Sequence, residues 1–156
     1  MASTGFQMPP QAPPNFNHNP TSVLSGIRAI LDNTRKFQDE IVATVLPEDA
    51  TFTNVLLPLA EDENNNIALK KLFKFFSSTS TSKELRDASN SSEALISGFD
   101  AQTLVREDLF QLINAVFKRK ETLDPESQLY LDLVHGEFLR NGLGIQGSSD
   151  RRRFRS

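Results

Sequence analysis

The chain has 156 residues, a length suited to one domain, and 38% hydrophobic residues with twelve Phe are enough to build a core. Seventeen Lys and Arg against twenty Asp and Glu give a net charge of −3, which removes the electrostatic case for coating nucleic acid or an anionic membrane. Cysteine is absent, which excludes disulfides, thiolate metal sites and a cysteine nucleophile, so stability has to come from packing.

Residues 1–20 carry five prolines among Asn, Gln and small residues and read as an extended arm. No Asp, Glu, Lys or Arg occurs before Arg28, and no apolar run approaches a membrane span. The N-terminus therefore resembles neither a secretory signal nor a mitochondrial presequence, and a cytoplasmic protein without membrane contact is expected.

From Thr21 the apolar residues Val23, Leu24, Ile27, Ile30, Leu31, Phe37, Ile41, Val42 and Val45 recur at steps of three and four, predicting an amphipathic helix over 21–46 with Thr21 or Ser22 as cap. The seam spans only about three heptads, so packing within the domain is preferred to a coiled coil. Thr51 can cap a second helix over 51–76, kinked at Pro58, in which the polar residues 62–66 are either a loop or an exposed helical face.

An SSTSTS linker covers 77–82. Thr81 and Glu84 then form a capping box for a helix over 82–118, weakened at Gly98 and Asp100 with a possible break at 98–101. Asp124, Pro125 and Glu126 open a last helix over 125–141, and Asn141-Gly142 supplies a left-handed stop. Nothing alternates at period two, so the prediction is an all-α, multi-helix bundle-like domain over 21–146, with 147–156 as the start of a further helix. Leu109 and Leu133 are expected in the core.

The chemistry of the residues is sparse. The two histidines, His18 and His135, show no His-Glu-x-x-His spacing, and a zinc site needs the arm to fold back; His18 reads as a tail residue and His135 as a partly exposed helix residue. No Gly-x-Ser-x-Gly elbow accompanies either one. The pairs Glu61-Asp62 and Glu107-Asp108 point about 100° apart on a helix and read as solvated faces. Gly142 to Gly147 spells G-x-G-x-x-G but follows a helix where the dinucleotide motif follows a strand, and Arg151, Arg152, Arg153 and Arg155 read as one charged face. No catalytic, cofactor-binding or metal residue is assigned.

Four blocks taken in order carry a resemblance: TFTNVLLPLAEDEN at 51–64, SKELRDAS at 82–89, VRED at 105–108 after the Phe99 spacer, and LDPES followed by FLRNGLGI at 138–145. Together they resemble the thimet oligopeptidase, neurolysin and saccharolysin family of zinc metallopeptidases, nearest its fungal cytosolic members, over about Thr21 to Arg155. The resemblance implies a large helical enzyme that cleaves short peptides in a channel, with its zinc on a His-Glu-x-x-His motif absent here. The segment resembled is the N-terminal helical part, so a channel-wall piece, inactive alone and without zinc of its own, is expected. Its partner would be the remaining catalytic segment, and Phe73, Phe76, Phe117 and Phe138 would leave apolar surface for that segment to cover. A stand-alone helical interaction module that binds a helical partner is the alternative.

Overall fold

The computed structural model describes residues 17–143, and among them the chain forms five α-helices and no strand. They are α1 (Pro20–Thr44), α2 (Leu57–Thr79), α3 (Lys83–Thr103), α4 (Glu107–Arg119) and α5 (Pro125–Arg140), with a 3-10 turn at Pro47–Asp49 and a π-helical turn at Phe52–Leu56. The expected all-α class holds. Most of the proline-rich arm, the last four residues of the glycine motif beyond Leu143, the arginine cluster and the further helix at 147–156 lie outside the described residues.

The helix starts explain themselves locally. Asn19, not Thr21 or Ser22, caps α1: its side chain accepts from Ser22 N at 2.8 Å, Ser22 Oγ accepts from Asn19 N at 2.9 Å, and Pro20 stands first in the helix with φ already set. Thr51 caps as expected, and its partner is Asn54, whose side chain accepts from Thr51 N at 2.7 Å. The expected kink at Pro58 appears upstream of it. Pro58 has no N–H and its ring would meet the carbonyl four residues back, and the chain runs through a wider π turn in which Leu57 N donates to Phe52 O. Arg119 Nε holds this turn by donating to Ala50 O at 2.8 Å, and Glu121 accepts from Phe52 N at 2.8 Å.

Two boundaries differ from expectation. The polar stretch 62–66 is helical, the second of its two expected alternatives, but α2 runs past the expected end through Ser77, Ser78 and Thr79, whose hydroxyls donate back to Lys74 O or Phe75 O. The cap of α3 is accordingly Ser82 rather than Thr81, accepting from Leu85 N at 3.2 Å. The break expected at 98–101 falls at 104–106. Gly98 is exposed and costs a helix only about 1 kcal/mol, whereas Phe99 beside it is buried and keeps α3 regular. Arg106 fixes the junction, bridging Asp39 on α1 at 2.6 Å and Asp108 at 2.8 Å.

Two apolar clusters result. Val23, Ile27, Ile30 and Leu31 of α1 meet Leu72, Phe73 and Phe76 of α2 and Ala88 and Phe99 of α3. Ile41, the π turn, Leu109, Leu112, Ile113 and Val116 of α4, and Leu131 and Phe138 of α5 form the second. Each Val, Leu, Ile or Phe side chain among them stabilises the fold by about 1.5–3 kcal/mol relative to exposure. Helix α1 contributes to both clusters. Ser89, fully buried, seals α3 onto α2 by donating to Phe73 O.

Two side-chain expectations are corrected. Leu109 is in the core, but Leu133 is 54% exposed, because α5 turns Leu131, His135 and Phe138 inward instead. Phe73, Phe76 and Phe138 are buried by the chain's own helices and Phe117 is half-buried, so they do not form the uncovered surface expected of them. The exposed apolar residues include Leu129, Leu133 and Leu139 on α5 and Phe75 on α2.

Candidate functional site

Between the two clusters lies a cleft of about 390 Å3, built by residues distant in sequence. Helix α1 supplies Thr34 and Gln38, α2 Leu59, Asp62, Glu63 and Lys70, α3 and the turn after it Phe99, Asp100, Thr103 and Leu104. Helix α4 adds Leu109 and Ile113, and α5 adds Tyr130, Val134, Glu137 and Phe138. Periodicity explains the placement on α1: Thr34 and Gln38 stand one turn apart on the inward face shared with Ile27, Ile30, Leu31 and Ile41.

Charge in the cleft is uneven, with four carboxylates against one lysine. Asp62, expected on a solvated face, is half-buried and accepts from Thr34 Oγ1 at 2.7 Å and from Asn66 Nδ2 at 3.2 Å. Burial holds the Asp100 carboxyl above the usual carboxylate range; Lys70 opposes the shift and Glu137 adds to it. The Tyr130 hydroxyl is pushed up to about 12 by burial, with Glu63 and Glu137 contributing. Gln38 is 6% exposed, and its side-chain amide makes no hydrogen bond among the described residues.

The histidines are placed apart, one in each cluster. The His18 ring stands edge-on to Phe73 and Phe76, with centroids 5.2 and 5.9 Å away, and is half-buried instead of free in a tail. His135 is buried rather than partly exposed, stacked between Phe117 and Phe110, with Nε2 3.1 Å from Asn114 Oδ1. Zinc ligation does not fit this arrangement, since the His135 ring is enclosed and engaged and His18 packs in the other cluster. Among the described residues no group of three or more His, Cys, Asp or Glu could hold a metal ion. The pair Glu107-Asp108 lies outside the cleft, and the guanidinium of Arg106 holds the Asp108 carboxyl below its usual range. No helix among these residues is long and apolar enough to cross a membrane.

The signal for the cleft was weak in the sequence. Gln38 and Thr34 interrupt an apolar stripe and could have been noticed as polar residues on a buried face, but nothing local joins them to Asp100 or Glu137.

No family model matches the chain. Among curated proteins, oligopeptidase PhomG' of Diaporthe leptostromiformis is 32% identical over 151 residues, covering 94% of this chain and 12% of that protein. Saccharolysin of Saccharomyces cerevisiae is 24% identical over 92% of this chain and 20% of its own length. A probable thimet oligopeptidase of Arabidopsis thaliana is 28% identical over 83% of this chain and 18% of its own length. The chain thus spans a fifth or less of these relatives.

Proposed function

Since the chain matches the thimet oligopeptidase family as a partial segment, aligned along nearly all of its own length, we propose that it is the N-terminal helical wall of a zinc metalloendopeptidase acting on short peptides, non-catalytic by itself and working in the cytoplasm. The observation that carries this reading is the alignment of 94% of an all-helical chain with 12% of an oligopeptidase. The surface supports it. Leu129 and Leu133, 59% and 54% exposed one turn apart on α5, form an apolar strip suited to a further helical segment.

In that role the chain provides shape and charge rather than bond chemistry. When bound elsewhere in the whole enzyme, zinc would polarise the scissile carbonyl and activate water. The residues here would form a rigid wall, stiffened by the two clusters and by the Arg106 bridges between α1 and α4. Purified chain incubated with a quenched fluorogenic peptide tests the non-catalytic assignment: no chelator-sensitive cleavage is expected, and cleavage that co-purifies with one equivalent of zinc would refute it.

A second reading, a stand-alone helical interaction module, draws support from the burial of Phe73, Phe76 and Phe138 without help from another chain. It keeps the same α5 strip as the contact surface and differs in predicting a monodisperse protein whose stability is unaffected by any peptidase segment.

A further inference from the structure

The cleft holds features that a passive wall does not require. Gln38, 6% exposed at its lining, has an amide without a hydrogen-bond partner, which is unfavourable unless a ligand or water satisfies it. Glu63, Asp100 and Glu137 surround the same space and none of them forms a salt bridge among the described residues. Lys70 is the one cation among the lining residues, and its charge acts on Asp100. The rest of the lining includes apolar Leu59, Leu104 and Val134.

We propose that this cleft binds an arginine side chain of a short peptide, the apolar stem lying along Leu104 and Val134 and the guanidinium donating to the carboxylates and to Gln38 Oε1. A guanidinium carries only donors, and the cleft offers mainly acceptors: the carboxylates of Asp62, Glu63, Asp100 and Glu137 and the open amide oxygen of Gln38. Its planar fork suits carboxylates better than the point charge of an ammonium. A volume of about 390 Å3 holds one such side chain and not a folded domain. Asp100 stands at the exposed mouth of the cleft, where partial desolvation and the charge of Glu137 both disfavour its ionised form, and a bound cation relieves that repulsion.

The probe is Nα-acetyl-arginine N-methylamide, titrated into the full chain with amide NMR as readout and the citrulline counterpart as neutral isostere. Saturable shifts are expected at the Gln38 side-chain amide, Asp100 and Val134, with a dissociation constant of about 1 mM and citrulline at least about tenfold weaker. Glu137→Gln, at an exposed helical position that leaves the fold intact, should weaken binding by about threefold or more, and added salt should weaken it further. Gln38→Leu should abolish the amide-linked part of binding while raising thermal stability. Equal binding of citrulline, shifts that are not saturable, or an E137Q variant that binds arginine as well as the parent would overturn the proposal. Such a failure leaves the oligopeptidase-segment reading intact, because that reading needs no ligand in this cleft.

Discussion

His135 on α5 lies face to face with Phe117 on α4, ring centroids 3.9 Å apart and planes within 6°. Burial, with Lys120 and Lys118 adding to it, holds the imidazole below its ordinary 6.5, and Asp132 opposes the shift only in part. Nε2 lies 3.1 Å from Asn114 Oδ1, a contact that the Nε2-protonated tautomer of the neutral ring satisfies by donating. The unfolded chain therefore takes up the proton first as pH falls, so this contribution to stability is complete above 6.5 and is lost as pH drops through the depressed folded value. Thermal melts across that range should show a falling midpoint, and His135→Gln should flatten the pH dependence. A parent midpoint that is constant from pH 7.5 to about 5 would contradict this account.

Core and surface leucines separate on energetics. Leu109 is 1% exposed, so Leu109→Ala should cost about 2–5 kcal/mol in urea unfolding. Leu133 is 54% exposed, and Leu133→Ala should change stability by less than about 0.5 kcal/mol in the isolated chain. Equal losses at the two positions would mean that α5 is rotated from the orientation described.

Two helical glycines should respond with opposite sign. A Cβ at Gly26 would stand 2.9 Å from Phe73 Cζ, and that ring is 1% exposed with no room to yield. Overpacking there costs about 1–3 kcal/mol, more than the helix-propensity gain of about 1 kcal/mol. At Gly98 a Cβ meets nothing within 4 Å, so Gly98→Ala should stabilise by about 0.5–1 kcal/mol. Chemical denaturation of both variants checks the ordering.

The sequence made the helices legible because their apolar spacing and caps are local signals: Thr51 and Asp124 cap where expected, and Gly142 takes a positive φ of 88° at the stop of α5. Misplacements arose where tertiary contacts outweigh local preference. Gly98 reads as a break until Phe99 is seen buried against α1 and α2, and the true break is held by Arg106 reaching Asp39. Leu133 and His135 exchange their expected environments because Phe110 and Phe117 offer a stacking slot that periodicity alone does not show. The cleft was hidden for the same reason, since Gln38, Asp62, Asp100 and Glu137 belong to four different helices.

Association in trans tests the central claim most directly. Oligopeptidase PhomG' lacking the 151 residues that align with this chain would be titrated with the chain by calorimetry, with peptide cleavage followed in parallel. Saturable binding that restores chelator-sensitive cleavage, and that Leu129→Asp with Leu133→Asp weakens by at least about tenfold, is the predicted result. No binding and no gain in cleavage, with a chain that stays monodisperse and equally stable throughout, would contradict the wall-segment account.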